Sequence, residues 1–173
     1  MKKDFITLFD FSSGELLDML DLADEMKKNP QNYTQTLKGK VLGMIFSKSS
    51  TRTRISFQTG IFQLGGIGLY FGANDLQLSR GETISDTAKV LSRYLDAIMI
   101  RTFSYQDVQE LAACASIPVI NGLTDYNHPC QAMADAMTIR EKFGKFSGLK
   151  LAYVGDGNNV AQSLMTLCAK LGL

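Results

Sequence analysis

Histidine is almost missing from this chain: His128 is the single one among 173 residues. Cysteine is scarce too, with Cys114, Cys130 and Cys168 as the three residues and no C-x-x-C pair among them. So thin a supply of soft ligands argues against a zinc site, and no metal or other cofactor is expected. The spacing also gives no disulfide framework, and reduced, buried thiols fit a cytoplasmic protein. Excess charge of one sign is lacking as well, since 18 basic and 17 acidic side chains leave a formal net charge of +1. Without a broad basic surface, nucleic acid is not an expected partner. No apolar run approaches the roughly 18 residues of a spanning helix, so no membrane partner is expected either. The opening "MKKDFITLFDF" has neither a long apolar stretch nor a small-residue cleavage site, and does not read as a signal peptide.

What is present is a regular alternation. With 45% hydrophobic residues the chain can build one full core, with part of a second. Ser12 and Glu15 have the spacing of a capping box, and Leu16, Leu20, Ala23 and Lys27 follow along one helical face, widened by Met19 and Met26. Pro30 ends that helix. Short apolar runs then recur: "VLGMIFS" (41–47), "GLYFG" (68–72), "AIMIRTF" (97–103), "IPVIN" (117–121) and "LAYVG" (151–155). Such runs fit strands buried on both faces. Helical patterns at 51–64, 84–94, 105–115 and 129–143 separate them. Strand alternating with helix predicts an α/β fold, a parallel β-sheet with helices on both faces, whose ligand sits at the carboxyl ends of the strands. The segment "KFGKFSGLK" suggests a boundary, with residues 1–148 as one domain and 149–173 as the first βα unit of an incomplete second α/β domain.

The residues that follow the strands carry the chemistry. After the first comes "SKSSTRTR", which places Arg52 and Arg54 in the first turn of a helix. Cations are unfavourable there by roughly 0.3–1 kcal/mol each, unless an anion sits on the helix end. Ser50 (or Ser49) suits the N-cap, Thr51 and Thr53 add hydroxyls, and Arg52 adds a planar fork matched to phosphate or carboxylate oxygens. Two residues apart, the arginines face different ways, one toward a ligand and the other toward a structural carboxylate. Arg101 ends the third strand, and "NGLTDYNHPCQ" follows the fourth. There Pro129 suits the first helical position, which puts His128 at the helix mouth and Gln131 in its first turn. A long polar loop, "GANDLQLSRGETISD", with Gln77, Arg80 and Glu82, reads as a lid, a reach toward a neighbouring subunit, or plain solvated surface. The donors Ser50, Thr51, Arg52, Thr53, Arg101, His128 and Gln131 suit a phosphate with a carbonyl beside it. No activated nucleophile of the protein is apparent, so the attacking group should belong to a second substrate.

"FSKSSTRTR" followed by "HPCQ" resembles the aspartate/ornithine carbamoyltransferase family, and within it the ornithine branch. The resemblance runs over the whole chain and implies a carbamoyl-phosphate-binding domain followed by the start of an ornithine-binding one. It implies Ser50, Thr51, Arg52, Thr53, Gln77, Arg101, His128, Pro129, Cys130 and Gln131 as carbamoyl-phosphate contacts, with Arg52, Arg101 and His128 catalytic. Lys48, the "DLQLSRGE" loop and "GDGNNV", whose Asn159 would touch ornithine, favour that branch. The implied substrates are carbamoyl phosphate and L-ornithine, the products citrulline and phosphate, and the implied assembly a homotrimer or a multiple of trimers. The later ornithine-binding motifs of the family, including its "HCLP" segment, are absent, so this chain alone is expected to bind carbamoyl phosphate weakly or not at all and to turn over poorly. Other acceptors, aspartate or a polyamine, and a non-catalytic phosphate-binding module stay open. A dinucleotide site at "GDGNNV" would need a glycine where Val160 stands.

Overall fold

Four of the five apolar runs become strands of one parallel sheet: β1 (Val41–Phe46), β2 (Ile67–Gly72), β3 (Ala97–Arg101) and β4 (Val119–Leu123). The computed structural model describes residues 2–173, the side chain of Ser79 excepted. The strand order is β2-β1-β3-β4, so the central pair is β1 and β3. Between and around them run α1 (Ser13–Lys28), α2 (Thr51–Gln63), α3 (Ile84–Leu91), α4 (Tyr105–Cys114), α5 (Pro129–Phe143) and α6 (Asn159–Leu171). The capping box at Ser12 forms as expected, Ser12 Oγ accepting from Glu15 N while Glu15 accepts from Ser12 N. β4 starts two residues later than the sequence pattern suggested, because Pro118 has no N–H to give to a ladder.

Alternate side chains of β1 and β3, joined by Val119 of β4, feed opposite layers. Ile45, Ile98, Ile100 and Val119 pack with Ala88 of α3 and Val108, Leu111 and Ala112 of α4. On the other face Leu42, Met44, Phe46 and Met99 meet Ile61 of α2. Both faces of the sheet are therefore covered by helices, as the β-rich apolar runs required. A third cluster joins Leu16 and Leu20 of α1, Ala132 and Ala136 of α5, and Leu164 and Leu167 of α6. The helix after Lys150 thus shares a core with α1 and α5.

The fifth run departs from expectation. Residues 151–155 form no strand, and Leu151, Tyr153 and Val154 are 36%, 41% and 97% exposed. A strand needs a ladder partner, and none of the described strands pairs with residues 151–155. At the outer edge of β4, Phe5 N donates to Val119 O at 2.8 Å, and Asn121 N donates to Phe5 O at 2.9 Å. Among the described residues, no helix is long and apolar enough to cross a membrane.

A candidate anion-binding crevice

β1 and β3 end side by side, and the turns that leave β1 and β4 open helices toward the same crevice. At the β1–α2 turn, Ser50 is the N-cap: its Oγ accepts from Thr53 N at 3.3 Å and lies 3.1 Å from Thr53 Oγ1. Arg54 N reaches Ser50 O at 3.2 Å. The Thr51 and Arg52 N–H groups, ahead of these, stand at the open positive end of the helix. Across from them Arg101 Nη1 donates to Thr53 Oγ1 at 3.2 Å. Its Nε is buried with no partner among the described residues. Burial first, and then the charge of Arg52, hold the Arg101 pKa below its ordinary value. The two guanidinium groups therefore repel one another, and no described ion pair engages either.

One cavity of about 390 Å³ lies between these groups, bounded by Ser50, Arg52, Thr53, Arg101, His128 and Gln131, with Cys130, Gly122 and Leu123 in its wall. Among the described residues, no carboxylate lines it. Gly122 marks a bulge, where Arg101 of β3 pairs with Leu123 instead of continuing the register. A Cβ on Gly122 would meet Met99 Sδ at 2.5 Å, so only glycine lets β4 pass there.

His128 stands at the mouth of α5, with Pro129 at the first helical position. Burial, and then the charge of Arg101, push its pKa down to about 4, so the imidazole is neutral at pH 7. Cys130 Sγ donates to Asn121 O at 3.3 Å, and burial pushes its thiol up to about 12. It stays protonated and is a wall, not a nucleophile. Gln131 Nε2 is held by Asp135 at 2.9 Å.

Other expected residues lie apart. Thr51 faces a shallower hollow on the outer side of α2, which it shares with Arg52 and Ile55. Gln77 sits in a 3₁₀ turn (Gln77–Arg80) beyond β2 and does not line the crevice. Asn159 does not line it either, because its Nδ2 donates to Thr124 O at 2.6 Å. Arg54 meets no structural carboxylate. Its guanidinium lies 3.9 Å from the centre of the Tyr70 ring, and the ring face supplies the compensation expected of an acid. Lys48 Nζ pairs with Asp125 at 3.1 Å and lies 5.0 Å from the Phe103 ring centre, on the lip.

The residues that hold His128 in place carry little signal in the sequence. Asn121, Thr124 and Asn127 are 0%, 0% and 4% exposed. Asn121 Nδ2 donates to Asn127 Oδ1 at 2.6 Å, Thr124 Oγ1 to the same oxygen at 3.0 Å, and Asn127 Nδ2 to Ile6 O at 3.1 Å. An asparagine inside an apolar strand was the one available signal, since a buried amide requires partners. At "GDGNNV", Asn158 Oδ1 accepts from Val160 N and Ala161 N at 3.0 and 3.2 Å. The N–H groups that a pyrophosphate would take there are already engaged.

Fold and site together define a parallel α/β domain with a cationic crevice at the carboxyl ends of its strands. Residues 3–141 match the family model described as aspartate/ornithine carbamoyltransferase, carbamoyl-P binding domain, and the chain belongs to that family. It is 60% identical over 173 residues to the ornithine carbamoyltransferase of Oceanobacillus iheyensis, covering 99% of this chain and 54% of that protein. Against that of Anoxybacillus flavithermus the identity is 60% over 174 residues, covering 99% and 55%. The solved ornithine carbamoyltransferase from Pyrococcus furiosus superimposes with a TM-score of 0.95 at 53% identity, over 98% of this chain and 55% of that one. For the enzyme from Thermus thermophilus the values are 0.94, 39%, 100% and 60%. The chain spans about half the length of the curated relatives it matches.

Proposed function

We propose that this chain supplies the carbamoyl-phosphate half of an ornithine carbamoyltransferase. One observation carries the reading: among the described residues, two arginines without acidic partners face a cavity with no carboxylate in its lining, beside the open end of α2. A phosphate of carbamoyl phosphate would take the Thr51 and Arg52 N–H groups and the Arg52 fork. The carbamoyl oxygen would then lie toward Thr53, Arg101 and His128. In the reaction, the side-chain amine of ornithine attacks the carbamoyl carbon and a C–N bond forms. The C–O bond to phosphate breaks, and the proton of the amine leaves with the departing phosphate. Negative charge grows on the carbamoyl oxygen, where Arg101 and a neutral His128 can each donate a hydrogen bond. Position and charge are the protein's contribution.

The remaining contacts rest on resemblance. Gln77 would serve from a loop that family members pack beside an adjoining subunit, which gives its distance from this crevice a meaning in a trimer. Asn159 would turn from Thr124 to ornithine. Residues 1–148 would form the carbamoyl-phosphate domain and 149–173 the start of the ornithine domain. The test is calorimetric titration of carbamoyl phosphate, with NADH as control, followed by assays of the carbamoylated product with ornithine, aspartate or a diamine as acceptor. Saturable carbamoyl-phosphate binding supports the reading. Binding of NADH in its place overturns it.

A further inference from the structure

We propose that Ser163 is a positioning residue for His128, so that α6 serves a crevice it does not line. His128 is the N-cap of α5, with φ −141° and ψ 72°, and its side chain accepts no capping bond from the helix. Its N–H instead donates to Ser163 Oγ at 2.8 Å. Ser163 is 4% exposed, and its hydroxyl proton goes to Asn159 O at 3.0 Å. With that proton committed, a lone pair of Oγ is directed at His128. One turn earlier, Asn159 Nδ2 holds Thr124 O. α6 therefore grips both ends of the turn that delivers the imidazole, while the Asn121–Thr124–Asn127 cluster grips it from the side of Ile6. Leu164 and Leu167 seat α6 in the core shared with α1 and α5, which makes the hydroxyl a fixed point.

The consequence rests on the reading of His128 as a donor to the carbamoyl oxygen. Such a donor must be held before the substrate arrives, since a misplaced one loses transition-state stabilisation. The charged groups that face the imidazole are Arg101 on β3 and, across the cavity, Arg52 on α2. α6 adds no charge there, because Lys170 in its last turn bonds Phe9 O and Phe11 O. Ser163 acts through the backbone of His128 alone.

The single histidine makes this testable without ligand. In a chain labelled with ¹⁵N-histidine, a long-range ¹H–¹⁵N correlation reads one imidazole, its tautomer and its titration. Ser163→Ala should move both nitrogen shifts and raise the titration midpoint toward that of an ordinary histidine. It should also weaken carbamoyl-phosphate binding by roughly two- to tenfold, the scale of one hydrogen bond. Ser163→Thr, which keeps the hydroxyl, should return the signals toward the parent. Leu167→Ala, which loosens α6 but keeps the hydroxyl, should lower the melting temperature and leave the imidazole signals in place. Unmoved imidazole signals in Ser163→Ala would overturn the proposal. So would equal movement in Leu167→Ala, since the hydroxyl would then be incidental. If the parent chain binds no carbamoyl phosphate, the half-site is not competent on its own, and the imidazole measurement still decides the role of Ser163.

Discussion

The two walls of the crevice are built on opposite principles. On the α2 side the side chains of Thr51 and Arg52 are exposed, charge is positive, and the cap is one serine hydroxyl. Opposite it, His128 is half-buried and neutral, and the turn behind it is locked by three buried polar side chains and a fourth from α6. A charged phosphate needs the first kind of wall, where donors outnumber acceptors and solvent can leave. A carbonyl that acquires charge only during reaction needs the second, where a neutral donor is already oriented. The comparison predicts that mutations on the α2 side cost binding with little stability, while those behind His128 cost stability and weaken binding only through the imidazole.

Arg52→Ala should give the largest effect. Loss of a charge-assisted contact of about 1.5–3 kcal/mol should weaken carbamoyl-phosphate binding about tenfold to a hundredfold, with little change in melting temperature. Titration and melting of the same variant check both halves of that statement. Asn127→Ala should do the reverse. It orphans buried donors and acceptors and should cost about 1–3 kcal/mol in urea denaturation.

The next effect depends on pH. The folded pKa of His128 is pushed down to about 4, against 6.5 for a free side chain. Above pH 6.5 both states are neutral and the full stability is present. As pH falls from 6.5 toward 4, the unfolded chain takes up the proton first, so stability is lost across that window. His128→Gln should flatten this slope, read from denaturation midpoints at several pH values. Arg54→Ala should have the smallest effect, about 0.5–1 kcal/mol from its exposed contact with Tyr70, and carbamoyl-phosphate affinity should not change. If Arg54→Ala costs as much affinity as Arg52→Ala, the division of labour between the two arginines is wrong.

Much of the site was legible in one dimension because its parts are local. The Ser50 cap, the arginine pair and Pro129 at the first turn of α5 are helix-start signals, and each falls where its spacing put it. The strands β1 and β3 were equally plain, being short apolar runs bounded by polar turns. "LAYVG" has the same composition and forms no strand, because strand formation depends on a neighbour and no described strand pairs with it. Arg54 illustrates a second limit. Its spacing from Arg52 predicted a different direction but could not name Tyr70, which lies on another element.

The alternation of the first four strands with their helices, the helix starts and the donor types were thus set by the sequence alone, since capping and hydrophobic period act over a few residues. Tertiary structure decided which donors share a cavity, that His128 is neutral there, and that Ser163 reaches it from 35 positions along the chain. Those outcomes depend on burial and on distances between elements, and both exist only once the sheet has closed the two walls together.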